Sequence, residues 1–227
     1  NSSFKLSPED RIKQRVTMIG ANTFTMPVIH DLHDKWYSVK VFTGDKDNYN
    51  VCKSRADLSL VDELNQDNLD KAGAFAVDIF VAALHNDKLN YRLGLMAKKA
   101  GVKRVIVRLS QPDAKTIHDL HEEDIEIFNF TNVRAALMRA LIESPAVYQV
   151  ITDTKNVLYS VVVRNRAYTG QRLMDWDFVN KMTVSRIRRG NEWLLPHGST
   201  VIEPGDEIIF SGEFRTADKI RQILGEK

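Results

Sequence analysis

One nearly unbroken apolar run, AVDIFVAAL at residues 76–84, constrains the fold of this chain more than any other stretch. A strand with apolar side chains on both faces has to be covered on both, which is typical of a parallel sheet packed between helices. Further strand-like runs occur at 16–19, 37–45, 56–64 and 103–109, and stretches of helical spacing follow the first, third and fourth of these runs and the apolar run itself. This order predicts an α/β unit with a doubly wound parallel sheet.

The second part of the chain has a different pattern. Short alternating strands at 158–165, 182–196 and 206–212 are broken by RRGNE and EPGDE, which are turn sequences that join antiparallel strands. Helical spacing is scarce until the last stretch, 215–225. We therefore predict that the parallel sheet is followed by a small α+β lobe with antiparallel strands.

These patterns divide the chain into two domains, at residues 14–144 and 145–227. The hinge is predicted at Ser144–Pro145, directly after a helical stretch at 132–143. The chain begins without a methionine or a signal segment, which we interpret as part of a longer or processed protein.

The composition argues against two classes of function. The 32 Lys and Arg residues face 30 acidic residues, so we see no basic surface for a nucleic-acid partner. No apolar run approaches the roughly 18 to 20 residues of a membrane-spanning helix. The single cysteine, Cys52, cannot form an internal disulfide, which is typical of a reducing compartment.

The start of the first domain is similar to a dinucleotide-binding Rossmann unit. An apolar strand meets Gly20 and passes at once into a helix, but the expected G-x-G-x-x-G is GANTFT at residues 20–25. A helix N-terminus can still bind a phosphate, and Asn22 or Thr23 could donate a hydrogen bond to it. In the alternative interpretation Gly20 serves only the turn and Thr23 caps the helix.

Two further polar residues follow predicted strands. Asp45 is a candidate for binding the ribose hydroxyls, although Thr43 stands where the Rossmann acid is expected. The alternative is that Asp45 is a solvated turn residue. His85 follows the apolar strand at the edge where open α/β sheets bind ligands, but turns are also built from such residues.

Arg108 ends the fifth predicted strand and is the last candidate of the first domain. Its guanidinium could pair with a phosphate. A structural ion pair with Asp78 or Asp113 is the alternative.

Two histidine pairs, His30/His33 and His118/His121, have the i, i+3 spacing that can share a metal, but no Cys or carboxylate is fixed in space beside them, so we expect surface histidines and no metal site. No nucleophile–base motif is present, so we expect no catalysis.

Both halves resemble RCK domains (regulators of potassium conductance), which are also called TrkA-like. In the first half the resemblance rests on the stretch from VDIFVAAL to VIVRL, at 77–109. The marks in the second half are Gly170, the strand-turn-strand at 183–195, Pro196, Gly198, Thr200 and the turn at Gly205-Asp206. Together they cover about residues 14 to 224.

The resemblance implies a cytoplasmic regulatory module without catalysis, at or tethered to the inner face of the plasma membrane. In that family the first, Rossmann-like lobe dimerises and binds NAD(H) or an adenine nucleotide such as ATP, ADP or AMP. The second lobe also dimerises, and in some members it binds cyclic di-AMP. The expected partners are a second copy, as a homodimer or higher ring, and a membrane-embedded cation channel, transporter or antiporter.

A second ligand site is expected in the C-terminal lobe, paired across a twofold axis. Arginines on the predicted strand could flank a two-phosphate ligand, while an isoleucine packs against adenine. The candidates are Asn180, Ile187, Arg188, Pro196 and His197. The alternative is that the charges form a solvated strand edge that discourages aggregation.

We therefore expect a module that changes its inter-lobe geometry on nucleotide binding and gates a cation transport protein. Two alternatives stay open. One is an NAD-dependent oxidoreductase with a small cap domain, although the sequence supplies no convincing hydride site and general acid. The other is a structural assembly module with a non-functional nucleotide site.

Overall fold

The structure is a computed structural model that describes residues 13–32, 34 and 36–226. The chain forms two compact units, of which the first ends at Ala135 and the second begins at Ala136. This division falls inside a helix. The domain boundary expected from the sequence, at residues 144 and 145, lies at the end of that helix and stays a prediction.

The first unit is built on a six-stranded parallel sheet. Its strands are β1 (Gln14–Ile19), β2 (Tyr37–Thr43), β3 (Leu58–Leu60), β4 (Ile79–Ala82), β5 (Arg104–Leu109) and β6 (Ile125–Asn129). Their order is β3-β2-β1-β4-β5-β6, and every neighbouring pair is parallel. The predicted doubly wound parallel sheet is confirmed.

Helices connect these strands and cover the sheet. They are α1 (Thr25–Asp31), α2 (Lys46–Cys52), α3 (Gln66–Lys71), α4 (Asp87–Lys99) and α5 (Ala114–Glu122), and a further helix, α6 (Phe130–Glu143), follows β6 without burying any of its residues. Side chains of β4 and β5 that include Phe80, Val105 and Val107 are fully buried beneath them. Gly94 of α4 makes this packing possible, because a Cβ atom there would lie 2.5 Å from the Val107 side chain.

The second unit contains a four-stranded antiparallel sheet. Its strands are β7 (Asn156–Val162), β8 (Thr183–Arg189), β9 (Glu192–Leu194) and β10 (Glu207–Glu213), in the order β7-β10-β8-β9. Helix α8 (Phe214–Gly225) packs on β7 and β10 and buries Ala217, Ile220 and Leu224. The predicted small antiparallel lobe is confirmed.

One helix of the second unit was not expected. Residues Pro145–Thr152 form α7, with Pro145 in its first turn, where the sequence analysis placed only a hinge. Proline suits the start of a helix, because the amide that it lacks has no intrahelical partner there. Within the described residues, no helix is both long enough and apolar enough to cross a membrane.

Candidate functional site

The sequence candidates of the first unit lie at one edge of the parallel sheet. Gly20 follows β1, Asp45 follows β2, His85 follows β4, and Arg108 is the penultimate residue of β5. The carboxyl ends of parallel strands meet at the same edge, and the strand order reverses between β1 and β4. Ligands of open α/β sheets bind outside such a reversal, so the topology places the candidates where the sequence predicts a site.

Gly20 makes the tight turn from β1 into the loop before α1. Its φ is +116°, and a Cβ atom would lie 3.1 Å from the Ala83 carbonyl oxygen and 3.2 Å from Leu84. Few residues other than glycine adopt this backbone conformation. The turn therefore requires glycine whether or not a ligand binds.

The Asn22 side chain occupies this loop. Its Oδ1 accepts hydrogen bonds from the amides of Phe24 and Thr25, at 3.0 and 2.9 Å. Its Nδ2 donates to the Ala83 carbonyl at the end of β4, at 3.0 Å. The carboxamide thus spans the gap between the β1–α1 loop and β4.

Thr25 completes the internal bonding of the loop. Its Oγ1 donates to the Gly20 carbonyl at 2.8 Å and accepts from the Asn22 amide at 3.0 Å. Thr23 is exposed, and none of the hydrogen bonds at this helix start comes from its side chain. The capping role that the sequence analysis assigned to Thr23 as an alternative therefore belongs to Asn22.

This loop does not fit a dinucleotide pyrophosphate as it stands. A pyrophosphate needs free amides at the helix start, and Asn22 already satisfies those of Phe24 and Thr25. At the end of β2, the buried Thr43 offers no carboxylate to a ribose, and its Oγ1 accepts a hydrogen bond from the Asp45 amide. The residues present satisfy one another, so the loop leaves no free donor and no carboxylate for a dinucleotide.

Asp45 and His85 have ordinary local surroundings. The Asp45 Oδ1 accepts from the amides of Asp47 and Asn48, both at 2.9 Å, and so caps α2. His85 is exposed in the turn before α4. No group of three or more His, Cys, Asp or Glu side chains within the described residues is placed to hold a metal ion.

Arg108 makes neither of the ion pairs that were considered for it. Asp78 accepts a hydrogen bond from the Arg15 amide at 2.8 Å, and Asp113 caps α5 through the Thr116 amide. The Arg108 side chain is instead buried, with 5% of the residue exposed. Its Nε and Nη1 have no hydrogen-bond partner among the described residues.

Aromatic rings cover the Arg108 guanidinium. Its Cζ lies 3.9 Å from the centre of the Phe130 ring and 5.1 Å from that of Phe24, which are cation–π distances. Phe128 joins the cluster, with ring centres 5.5 Å from Phe24 and 6.3 Å from Phe130. This cluster was not predicted from the sequence. A signal was present, because aromatic residues follow β1 and β6 and an arginine lies near the end of β5.

The electrostatic surroundings of Arg108 are unbalanced. Burial lowers the pKa of its guanidinium, the charge of Asp87 opposes this shift, and the charge of Arg134 lowers the pKa further. Asp87 is itself engaged, because its carboxylate accepts hydrogen bonds from the Ser110 amide and hydroxyl at 2.8 and 3.2 Å. The buried cation is therefore only partly compensated.

A buried asparagine fixes the same edge of the sheet. The Asn90 Oδ1 accepts from the Leu84 amide at 3.0 Å, and its Nδ2 donates to the carbonyls of Leu84 and Arg108 at 2.9 and 2.8 Å. This clamp joins the ends of β4 and β5 to α4. The sequence showed a polar residue in a helix but not that it points into the core.

A cleft of about 670 Å³ opens between α4 and α5. Side chains of both charge signs line it, together with Tyr91 and Pro112. One of its acids, Asp87, is the residue whose charge acts on Arg108. The sequence did not indicate this cleft.

The C-terminal candidates lie around the β8–β9 hairpin. Ile187 is fully buried in the core of the second unit, and the neighbouring Arg188 pairs with Glu207. Pro196 and His197 follow β9. Asn180 is exposed in a short 3-10 helix before β8, and no hydrogen bond or ion pair of the described residues joins it to the other four. A ligand site here stays a prediction.

Comparisons with known proteins match both units. Residues 16–127 match the family model of the TrkA-N domain, and residues 157–225 match that of the TrkA-C domain. The two matches follow each other in the order that the sequence resemblance predicts.

Individual proteins match most of the chain. YjbQ of Bacillus subtilis, named as a candidate Na(+)/H(+) antiporter, is 31% identical over 223 residues, which are 97% of this chain and 36% of YjbQ. A Trk system potassium uptake protein TrkA homolog of Archaeoglobus fulgidus is 26% identical over 71% of this chain and 38% of its own. This chain thus spans little more than a third of either protein.

Among solved structures, the gating ring of human SLO3 matches with a TM-score of 0.58 at 9% identity. The match covers 92% of this chain and 46% of that one. At this identity the likeness shows a shared fold alone.

Proposed function

We propose, from the premise that this chain belongs to the TrkA/RCK family of paired TrkA-N and TrkA-C domains, that it is the regulatory module of a cation channel, transporter or antiporter. The observation that carries the proposal is the presence of both domains, in this order, in a chain that is 31% identical to a candidate antiporter over 97% of its length. Because the chain spans about a third of that relative, the transport activity and its ion belong to the proposal.

The module acts as a dimer of identical chains. None of the residues of α6 and α7, all of which the structure describes, is buried. Large exposed apolar side chains occur along both helices: Met138, Leu141, Ile142, Val147, Val150 and Ile151. Within each helix these residues are three or four positions apart and so lie on one face, and an exposed apolar face of this kind marks an interaction site. A second copy is the occupant that we propose, because the same two helices from each chain would form one self-complementary contact.

The regulation is a change of conformation rather than a chemical reaction. A ligand that binds one arrangement of the module more tightly than another shifts the population toward it, by no more than its difference in affinity. We place the module at the cytoplasmic face of the membrane, and the buried free thiol of Cys52 is consistent with a reducing compartment.

Ion flux tests this function. The cation transport protein on which the chain acts is placed in membrane vesicles with the module intact, removed, or carrying Ile142→Asp to break the dimer. We expect flux to change in the same direction in both altered forms. Flux that is indifferent to removal of the module would contradict a regulatory role.

A further inference from the structure

Arg108 is a buried charge that neither the fold nor the proposed dimer explains. Its Nε and Nη1 are shielded from solvent and have no hydrogen-bond partner among the described residues. Buried donors are almost always hydrogen-bonded, and an unpaired buried charge lowers the stability of a fold. An apolar side chain of similar size would fill the same space at a lower cost, so the charge itself requires an explanation.

Two phenyl rings compensate this charge only in part. The Arg108 Cζ lies 3.9 Å from the centre of the Phe130 ring and 5.1 Å from that of Phe24, and the two ring centres are 5.3 Å apart. The rings attract the cation through their faces, whereas its N–H donors lie in the plane of the guanidinium. This closed arrangement therefore leaves donors open that water would satisfy if the side chain reached solvent.

The rings form a thin cover over a fixed strand. Phe24 and Phe130 are each only half-buried. The backbone of Arg108 is held in place, because its carbonyl accepts a hydrogen bond from the Asn90 Nδ2 at 2.8 Å. The parts that can move are therefore the Arg108 side chain and the two rings. An open arrangement would gain hydration of the guanidinium and lose the cation–π contacts.

A second arginine weakens the closed arrangement. The Cζ of Arg134 lies 5.1 Å from the centre of the same Phe130 ring. Burial lowers the pKa of Arg108 most, the charge of Asp87 opposes this shift, and the charge of Arg134 adds to it. Repulsion between the two arginines therefore favours the arrangement in which Arg108 is hydrated.

The two rings belong to segments that are far apart in the sequence. Phe24 lies in the loop between β1 and α1, and Phe130 is the first residue of α6. Both segments are tied to the sheet edge through contacts with the same guanidinium. Loss of these contacts therefore frees both segments together.

We propose that Phe24, Arg108 and Phe130 form a clasp with two states, the closed state described above and an open state in which the guanidinium is hydrated. The clasp couples the β1–α1 loop to the first turn of α6, the helix that carries part of the proposed dimer face. This inference rests on the proposed function, because it names how a change at the sheet edge reaches the dimer contact. A ligand or a partner that prefers one state shifts the population toward it.

Arg108→Met tests the cost of the buried charge. Methionine is of similar length, fits irregular spaces beside aromatic rings and has no donors, so the variant should unfold at a higher urea concentration than the wild type. An arginine that served only as a structural anchor would give the opposite shift when it is replaced. A lower midpoint of unfolding, or a variant that does not fold, would overturn the clasp.

Hydrogen exchange of the 227-residue chain, followed by NMR, tests the coupling. The reporter in α6 is the amide of Thr131, which donates to the Ser110 carbonyl at 3.2 Å. Phe24→Leu keeps an apolar side chain but removes the ring face, so it should speed the exchange of this amide about five-fold. Thr23→Ala, at the exposed neighbouring position, is the matched control and should leave it unchanged. Equal exchange in the two variants would overturn the coupling.

The coupling has to act in both directions. Arg134→Gln removes the repulsion at an exposed position and should favour the closed state. The amide of Thr25, in the loop, should then exchange about three-fold more slowly. Arg139→Gln, on the same helix, is the control and should have no effect. A loop amide that responds alike to both variants would overturn the inference.

Sedimentation separates this inference from the proposed function. Arg108→Met keeps the clasp closed and Phe24→Leu opens it, so the two variants should shift the dissociation constant of the dimer in opposite directions. Shifts in the same direction, or no shift, in a chain that dimerises and alters ion flux would overturn the clasp alone. A chain that does not dimerise would contradict the proposed dimer, and the exchange measurements would still decide the clasp.

Discussion

The loop at residues 20–25 and the two helices α6 and α7 differ in whether their side chains find partners within the chain. In the loop, the side chains of Asn22 and Thr25 satisfy backbone groups of the same short segment. In the helix pair, apolar side chains such as Ile142, which is 74% exposed, stay in contact with water. The difference fits the proposed dimer, because the loop is satisfied within one chain, whereas the exposed side chains of the helices are those that we propose to pack against a second chain.

The largest effect should come from the helices. Ile142→Asp places a charge in the proposed contact and should weaken self-association at least about a hundred-fold, because a charge buried there has no partner. Analytical ultracentrifugation measures the change. Val51→Asp is the control, since Val51 is equally exposed, at 70%, but lies on α2. Equal weakening by both variants would show that α6–α7 is not the contact.

The next effect concerns the turn of the loop. Gly20→Ala should lower the free energy of unfolding by about 3 kcal/mol, because it forces a side chain into a positive-φ position beside the Ala83 carbonyl. Gly73→Ala shares the positive φ but meets no atom within 4 Å, so about 1 kcal/mol is expected. Urea denaturation compares them. Equal losses would mean that the loop is less tightly closed than described.

Asn22→Ala tests whether the loop is satisfied from within. Losing the acceptor for two amides should lower the free energy of unfolding by about 2 kcal/mol. Asn86→Ala removes a cap that serves one amide, that of Leu89, and should cost about 1 kcal/mol. The same denaturation experiment applies. A neutral Asn22→Ala would indicate that water or a ligand serves these amides.

The smallest effect is expected at Asp45. Asp45→Asn keeps an oxygen for the amides of Asp47 and Asn48 and should change the free energy of unfolding by less than about 0.5 kcal/mol. Asp45→Ala removes the cap and should cost about 1 kcal/mol. A larger loss in the asparagine variant would show that the charge of Asp45 has a role beyond capping α2.

Most of the fold could be predicted, because a strand that is buried on both faces of a sheet leaves a nearly continuous apolar run in the sequence. The run at 76–84 contains β4, and glycine and turn residues mark the antiparallel strands. Helix α7 was missed because Pro145 was interpreted as a hinge rather than as the first residue of a helix. The apolar side chains of α7 are exposed in a single chain, so this helix does not show the alternation of buried and exposed faces that is typical of a helix packed on a core.

The candidate site could be predicted only in outline. Strand order brings the chosen residues to one edge, and this follows from the alternation of strands and helices. The capping role of Asn22 depends on the Ala83 carbonyl, 61 residues away in the sequence. Asp78 precedes β4, at the opposite edge of the sheet from Arg108, and Asp113 caps α5, so neither acid pairs with Arg108. Both arrangements depend on residues that are far apart in the sequence, so no local sequence pattern predicts them.

The Asn90 clamp has a consequence for local opening. The Leu84 amide is held by a side chain of α4 instead of a neighbouring strand. Its exchange with deuterated solvent should therefore follow the detachment of α4 and not the fraying of the sheet. The carbonyls of Leu84 and Arg108 accept hydrogen bonds from the same carboxamide. Detachment of α4 should therefore release the ends of two strands that lie far apart in the sequence.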